Sequence, residues 1–181
     1  MVYKIDPRKN WMALEQRLAI ETDPVVRRNI ATTIKHARAE AAADFDALMA
    51  TVADNAAYTS FADGDAAANS PQGKAGVAAY YRMIVESGCH HIEHAVERIV
   101  ADRNALTTEG KLTMAYPSAV LQALGYAVSD ASPYYLYQAR LMVVWGFDAA
   151  GLVACEDSYA AGNGFADIAS RPCRMDEIYQ P

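Results

Sequence analysis

Cysteine is scarce in this sequence, which has three among its 181 residues. Cys89, Cys155 and Cys173 are odd in number, lie far apart and form no CxxC pair. Such usage is typical of reduced thiols rather than of a disulfide framework. The N-terminus becomes polar within six residues and lacks the apolar segment of a signal peptide. The sequence therefore predicts a cytoplasmic protein without disulfides.

Basic residues and long apolar runs are also in short supply. The chain has 16 Lys plus Arg against 22 Asp plus Glu, a formal net charge of −6, and no block of basic residues. A surface that follows the phosphates of DNA or RNA needs such a block, so nucleic acid is not expected as a partner. No run of about 18 apolar residues is present to span a bilayer, so a membrane partner is not expected either.

The motifs that hold nucleotide phosphates are absent. Neither GxGxxG nor GxxxxGK(S/T) follows a predicted strand. A GxSxG turn is missing, and no cysteine lies in a recognisable nucleophile motif. The sequence therefore predicts that any chemistry uses no organic cofactor and is carried by ordinary side chains in a pocket.

Apolar residues make up 52% of the chain, and their pattern changes along it. The first third has them at three- and four-residue steps, the period of helices with one buried face. A polar loop is predicted over residues 62–73, ahead of a helix from Lys74 to Glu86. Strands are predicted at Ala56–Phe61, His91–Ala101, Ala105–Tyr116, Tyr134–Phe147 and Leu152–Tyr159. Helices followed by antiparallel hairpins indicate an α+β fold.

Three stretches of the chain resemble a known superfamily in order and spacing. They are ADFDAL at 43–48 with VADNA at 52–56, GKAGVAAYY at 73–81, and VVWGFDAAGLV at 143–153. These resemble a helix-to-strand passage, a glycine-led helix and a closing hairpin of the nuclear-transport-factor-2-like (NTF2-like) superfamily, in its SnoaL-like branch. The resemblance covers about residues 30–160.

The resemblance implies one domain over residues 1–181, with an N-terminal helical extension at 1–29 and a C-terminal tail at 161–181. The implied architecture is a cone-shaped α+β barrel, in which helices pack on a strongly curved antiparallel sheet around an apolar pocket. The superfamily includes ketosteroid isomerases, scytalone dehydratases, polyketide cyclases, diarylpropane lyases and non-catalytic dioxygenase β subunits. Members often pair through the outer sheet face, so a homodimer is expected. The fold alone does not name a function.

The densest group of titratable residues is His90-His91-Ile92-Glu93-His94. In a strand, His90, Ile92 and His94 share one face, while His91 and Glu93 share the other. Two histidines without a third ligand do not form a closed zinc site, so no metal is predicted. Dehydratases of the superfamily carry a catalytic histidine in this segment, and the match falls on His90 or His91. We favour His91 facing the pocket with Glu93 beside it; the alternative is a solvated strand start.

Three positions differ from the pattern of the superfamily's ketosteroid isomerases. Ser60 stands where the proton-shuttling aspartate is expected, Val143 where the oxyanion-hole aspartate is expected, and His36 where a helix tyrosine is expected. Serine cannot accept a carbon-bound proton unaided, and valine cannot donate a hydrogen bond, which argues against isomerisation by that route. His36 is a candidate catalytic residue that looks into the pocket, with a satisfied core histidine as the alternative.

Glu156 and a set of aromatic residues complete the candidate site. In this superfamily the register of Glu156 lines the pocket, where burial would raise the pKa of a carboxyl group. The chain has eleven tyrosines, and a phenol can stabilise a developing oxyanion. Tyr58 is therefore a further catalytic candidate, with core packing as the alternative. The residues expected to contact a substrate are Tyr80, Tyr81, His90, Glu93, Val143, Trp145 and Ser60.

Two functions fit these residues. One is an enzyme without metal or organic cofactor that acts on a hydrophobic, aromatic small molecule by acid–base chemistry. A lyase that eliminates water or a small carbonyl fragment is the reaction type favoured. The other is a non-catalytic ligand-binding protein or an accessory subunit. A cavity in which a histidine and a second polar group converge favours the enzyme, whereas a filled or wholly apolar interior favours the alternative.

Overall fold

The computed structural model of the chain describes residues 3–61 and 70–180. Within these ranges the helices are α1 (Lys9–Ile20), α2 (Pro24–Ala41), α3 (Phe45–Met49), α4 (Gly73–Glu86) and α5 (Ser118–Ala123). The helices predicted for the first third of the chain and for the segment after Lys74 are confirmed. Most of the loop predicted over residues 62–73 lies outside the described residues. Among the residues described, none of the helices has the length and apolar character needed to cross a bilayer.

Helix α2 is fixed at its start by a side-chain cap. The Asp23 carboxylate accepts hydrogen bonds from the backbone N–H groups of Val25 and Val26, at 2.9 and 3.2 Å. Pro24 occupies the first helical position, where its missing N–H costs nothing. The buried face of α2 mixes apolar and polar residues, namely Val26, Asn29, Ile30, Thr33, Ile34, His36, Ala37 and Ala39. The helix therefore brings polar side chains into the interior together with apolar ones.

The sheet consists of β1 (Val52–Ser60), β2 (Ile92–Ala101), β3 (Ala105–Pro117), β4 (Tyr134–Phe147), β5 (Val153–Ala161) and β6 (Pro172–Cys173). The strand order is β1-β5-β4-β3-β2, and β6 pairs with β4. The antiparallel hairpins β2–β3, β3–β4 and β4–β5 are confirmed. The first strand begins at Val52 rather than at Ala56 and runs parallel to β5.

The fold is α+β, as predicted, with helices packed on an open six-stranded mixed sheet in place of an entirely antiparallel one. No hairpin connects β1 to β5, so their relative direction is not restricted to antiparallel. One large apolar cluster joins α1, α2 and α4 to the inner face of the sheet. The helices and the sheet therefore enclose the interior from opposite sides.

The two ends of the described chain meet on the sheet. Ile5 forms a parallel bridge with Ile178, and the backbone N–H of Lys4 donates to the carbonyl oxygen of Glu177 at 2.8 Å. Ile5 and Ile178 are buried together with Ala115, Leu136 and Cys173. The N-terminal extension and the C-terminal tail are thus held against the central sheet by an apolar cluster of their own.

Candidate active site

A cavity of about 270 Å³ lies between the helices and the inner face of the sheet. Much of its wall is apolar and is supplied by Leu14, Ala37, Ile84, Leu112, Leu141 and Val143. Pockets for small organic ligands usually have volumes of about 300–1,000 Å³. The volume is therefore close to the lower end of that range, and the wall suits a small hydrophobic molecule.

Two carboxyl groups, Glu40 and Glu156, line the cavity. Glu40 lies near the C-terminal end of α2, and Glu156 lies in β5 between its strand neighbours Tyr58 and Trp145. Burial and, to a lesser extent, the negative charge of Glu40 raise the pKa of Glu156 to about 8. Burial also raises the pKa of Glu40 to about 7. At neutral pH this carboxyl pair therefore retains a proton.

Glu156 is one end of a hydrogen-bond chain that runs into the core. The Tyr81 hydroxyl lies 3.1 Å from Glu156 Oε2 and 2.8 Å from His36 Nε2. His36 Nδ1 lies 2.8 Å from Thr51 Oγ1, whose hydroxyl donates to the carbonyl oxygen of Leu48 at 2.6 Å. His36 Nε2 and Glu156 Oε2 are 3.6 Å apart, too far for a direct hydrogen bond. Tyr81 is therefore the link between the histidine and the carboxyl group.

Aromatic rings keep this chain of groups in place. Trp145 packs edge-to-face on His36 with ring centres 5.5 Å apart, and its Nε1–H donates to Thr108 Oγ1 at 3.2 Å. Tyr58 packs edge-to-face on Tyr81 at 6.4 Å. His36 has no exposed surface, and burial lowers its pKa to about 3. The imidazole is therefore neutral near pH 7, and its ring plane is fixed from two sides.

The opposite side of the cavity is formed by β2, where Ile92 and His94 face inward. Strands β3 and β4 separate β2 from β5, so His94 and Glu156 lie at opposite ends of the inner face. Burial lowers the pKa of His94 to about 4, and its Nε2 is buried with no hydrogen-bond partner in the described part of the chain. The Asn10 side-chain oxygen accepts the backbone N–H of His94 at 2.6 Å, which ties α1 to β2.

Three more aromatic residues line the cavity and pack together. Phe165, which follows β5, packs on Tyr137 at a ring-centre distance of 4.7 Å and on Tyr116 at 5.2 Å. All three residues contribute to the cavity wall. The first part of the C-terminal tail therefore belongs to the wall of the site.

Most of the residues predicted to contact a substrate do reach the cavity. The residues in its wall include Ser60, Tyr80, Tyr81, Val143, Trp145 and Glu156. His36 and Tyr58 are buried one layer behind the wall, where both contact Tyr81. The structure thus places His36 behind Tyr81 and outside the cavity surface.

The structure places His91 differently from the sequence interpretation. Its ring packs against His90 at 4.2 Å and against Tyr134 at 5.6 Å, and neither histidine lines the cavity. Burial lowers the pKa of both, that of His91 to about 4. Residues alternate between the two faces of a strand, and Ile92 and His94 take the inner face. The sequence interpretation favoured His91 and Glu93 on the inner face. A one-residue shift in the predicted strand register explains the difference.

Glu93 also lies outside the cavity and instead holds the N-terminal segment. Its carboxylate accepts hydrogen bonds from the backbone N–H of Asp6 at 2.7 Å and from Lys9 Nζ at 2.9 Å. The residue is 7% exposed, so this ion pair is partly shielded from solvent. Glu93 therefore has a structural role, because its side chain holds the start of α1 against β2. In residues 3–61 and 70–180, no cluster of three or more His, Cys, Asp or Glu side chains is arranged to hold a metal ion.

Among the residues of the site that the sequence interpretation missed are the ionisable groups Glu40 and His94. Glu40 follows His36 by four positions and Thr33 by seven, so helical periodicity places all three on one face. The sequence therefore indicates a site role for Glu40, because its carboxylate continues the helical face that His36 and Thr33 occupy. His94 shares a strand face with Ile92, and an apolar neighbour two positions away indicates the buried face. That signal favoured His94 over His91.

Comparisons with known proteins agree with the fold. A sequence profile for the SnoaL-like domain matches residues 34–155, and a search of curated proteins returned no significant match. A LEH-like epoxide hydrolase from M. tuberculosis has a similar structure, with a TM-score of 0.61 at 18% identity over 82% of this chain and 94% of that one. A protein described as a SnoaL-like polyketide cyclase from Shewanella putrefaciens gives 0.64 at 9% identity, over 87% and 93%.

A third similar structure is TerC, co-crystallised with polyporic acid, with a TM-score of 0.58 at 9% identity over 79% of this chain and 98% of TerC. At these identities the solved structures show a common fold, while the profile match covers most of the chain, from the middle of α2 into β5. The chain therefore belongs to the SnoaL-like domain family of the NTF2-like superfamily.

Proposed function

We propose that this protein is a lyase that acts on a hydrophobic small molecule by acid–base catalysis with Glu40 and Glu156. The observation that carries the proposal is the pair of carboxyl groups in a largely apolar cavity, one of them hydrogen-bonded to Tyr81. Their pKa values, about 7 and about 8, lie near physiological pH. Groups with such pKa values both take up and release protons under working conditions, which is what general acid–base catalysis requires.

An elimination uses the two carboxyl groups in complementary roles. The ionised group takes a proton from carbon, and the C–H electron pair becomes the new double bond. As the C–O bond breaks, the protonated group gives its proton to the leaving oxygen. The products are an alkene and water or an alcohol, and transfer of one proton between the two carboxyl groups restores the enzyme. The apolar wall excludes water and strengthens these interactions.

The similar structures support an enzyme that acts on a small organic molecule. Two of them are named as an epoxide hydrolase and a polyketide cyclase, and TerC was crystallised with an organic ligand. The aromatic wall residues Tyr116, Tyr137 and Phe165 favour an aromatic substrate, since rings pack well edge-to-face on one another. A homodimer, as the superfamily resemblance implies, is part of the same proposal.

The proposal is tested with an aromatic β-hydroxyketone, the aldol of benzaldehyde and acetone. Its dehydration gives a conjugated product that is followed by ultraviolet absorbance. We expect the wild-type protein to accelerate this reaction, and we expect Glu40→Gln and Glu156→Gln to lower kcat by about 100-fold or more. Glu86→Gln on the exposed end of α4 is the matched control and should keep the wild-type rate.

Binding measurements separate the enzyme from its alternative. A ligand that enters the cavity changes the fluorescence of Trp145, which lines it; a Trp11→Phe background removes the other tryptophan. Tight binding of aromatic β-hydroxyketones without turnover would indicate a ligand-binding protein and overturn the proposed activity. Turnover that survives in both glutamine variants would overturn the assignment of the carboxyl pair.

A further inference from the structure

The position of one hydrogen on His36 follows from Thr51. The Thr51 hydroxyl has a single hydrogen, which it donates to the carbonyl oxygen of Leu48 at 2.6 Å. Toward His36 Nδ1, 2.8 Å away, the hydroxyl oxygen can then only accept a hydrogen bond. A short contact between two acceptors would be repulsive, so Nδ1 carries a hydrogen.

The next bonds in the chain follow in the same way. In the neutral imidazole, Nε2 is left with a lone pair and accepts the hydrogen of the Tyr81 hydroxyl, 2.8 Å away. That phenol has no second hydrogen, so toward Glu156 Oε2 at 3.1 Å its oxygen can only accept. Glu156 must then supply the hydrogen as a carboxylic acid. Every donor in the chain points the same way, from Glu156 toward Leu48.

One other arrangement satisfies the same distances. It places hydrogens on both nitrogens of His36 and turns the Tyr81 hydroxyl toward an ionised Glu156. With Glu40 ionised, that arrangement buries three charges around the cavity, whereas the chain described above buries one. His36 has no exposed surface, and its ring lies against Tyr81 and Trp145. Buried charges are costly even when paired, so the arrangement with one charge is favoured.

We infer that Glu156 is the acid and Glu40 the base of the carboxyl pair, and that His36 is the positioning residue that assigns these roles. The assignment rests on the proposed function for its chemical meaning, whereas the proton positions follow from the hydrogen-bond distances and from the cost of burying charge. Glu40 and Glu156 line the same cavity, and a negative charge on Glu40 favours the protonated form of Glu156. The chain holds that proton on Glu156, which leaves the negative charge on Glu40.

The proton on Glu156 also has a defined route to a substrate. Its O–H turns from Tyr81 toward the leaving oxygen, and the Tyr81 hydroxyl then turns from His36 to the new carboxylate. The charge formed on Glu156 is thereby stabilised by a hydrogen bond. The titratable groups that face Glu156 or its strand are Glu40 and His36 from α2, Tyr80 and Tyr81 from α4, Tyr58 from β1, and Cys155 and Asp157 of β5.

The inference is tested on the ligand-free protein by two spectroscopic measurements at pH 7. Nitrogen-15 NMR of the His36 ring should show a neutral imidazole with its hydrogen on Nδ1. Infrared spectroscopy should show a protonated carboxyl band that is lost in Glu156→Gln and retained in Glu40→Gln. Thr51→Val removes the acceptor for Nδ1–H, so the hydrogen should move to Nε2, and the Glu156 acid band should weaken. Thr51→Ser keeps the hydroxyl and should restore both signals.

The outcomes separate this inference from the proposed function, because neither spectrum requires a substrate. A wild-type His36 with both nitrogens protonated, or with the hydrogen on Nε2, would overturn the inference, as would an acid band that disappears only in Glu40→Gln. The predicted spectra together with a failed elimination assay would sustain the proton arrangement and reject the lyase. The wild-type spectra decide the question even if Thr51→Val does not fold.

Discussion

His94 is the residue best placed to recognise a polar group of a ligand. Its ring lines the cavity on the side opposite Glu156, and its Nε2 is buried with no hydrogen-bond partner among the described residues. Because burial lowers the pKa of His94 to about 4, the ring is neutral near pH 7 and has one N–H and one lone pair. The nitrogen with the lone pair accepts a hydrogen bond from a ligand hydroxyl.

This reasoning predicts that the cavity prefers a phenol to its methyl ether. We expect para-phenylphenol to bind wild-type protein about tenfold more tightly than its methyl ether, the effect of one hydrogen bond. His94→Leu should abolish the preference, whereas His91→Leu, outside the cavity wall, should retain it. Titration of Trp145 fluorescence measures both affinities. Tighter binding of the biphenyl carboxylate than of the phenol would indicate a charged ring and contradict the prediction.

Side chains could be assigned to the site from sequence only where a periodic pattern fixed their direction. Glu156 is placed at the pocket by its strand register, and Tyr80, Tyr81 and Trp145 are expected there as aromatic residues; all four reach the cavity. His36 was recognised, but the ring lies one layer deeper because the larger Tyr81 side chain stands between it and the cavity. The segment that leads into β2 gave no such constraint, since the adjacent residues His90 and His91 would present imidazoles to both faces of a strand.

Among the elements, helices and hairpins were easier to predict than long-range strand pairing. α2 has a local cap and apolar residues at helical intervals, and the β2–β3 hairpin closes over a short turn at Asp102. The first strand has neither signal. Val52 and Ala53 continue the apolar pattern of α3, and only the pairing of Val52 with Val153 makes them a strand. That pairing joins segments about 100 residues apart, which local sequence does not encode.

The contact between β2 and β3 at Gly110 predicts a position-specific effect of alanine. A Cβ atom at Gly110 would lie 2.1 Å from the Ala95 carbonyl oxygen, so the two strands would have to separate. We expect Gly110→Ala to lower the free energy of unfolding by about 1–3 kcal/mol. Gly76→Ala is the control: its Cβ would meet Pro71 at an ordinary 3.7 Å, inside helix α4.

Urea denaturation at pH 7 measures the free energy of unfolding of both variants. Because alanine has the higher helix propensity, we expect Gly76→Ala to raise the free energy of unfolding by about 0.5–1 kcal/mol. The two substitutions add the same methyl group and should shift the midpoint in opposite directions. A Gly110→Ala protein as stable as wild type would show that β2 does not pack on β3 as the structure describes.

At the scale of the whole molecule, buried titratable groups make stability depend on pH in two opposing ways. Burial lowers the pKa of all four histidines from 6.5, to about 3 for His36 and about 4 for His91 and His94. The unfolded chain binds these protons below pH 6.5 and the folded chain does not, so stability rises with pH up to that point. Glu40 and Glu156 act in the opposite sense, since folding raises their pKa values.

These opposing effects predict a maximum of stability near pH 6.5. Between pH 4.5 and 6.5 four histidines outnumber two carboxyl groups, and stability increases with pH. Above pH 6.5 the histidines are neutral in both the folded and the unfolded chain, so they no longer make stability depend on pH. The folded chain still holds protons on Glu40 and Glu156 until about pH 7 and 8, whereas the unfolded chain released them near 4.5. Stability should therefore fall between pH 6.5 and 8.

Urea denaturation across pH 5 to 8.5 tests this dependence. In Glu40→Gln/Glu156→Gln the fall above pH 6.5 should disappear while the rise below it remains, because the histidines are unchanged. Glu86→Gln, which removes an exposed carboxylate on α4, should reproduce the wild-type curve. A wild-type protein whose stability continues to rise to pH 8 would mean that the carboxyl pair is ionised in the folded state. The cavity would then lack the protonated group that both the proposed elimination and the hydrogen-bond chain through His36 require.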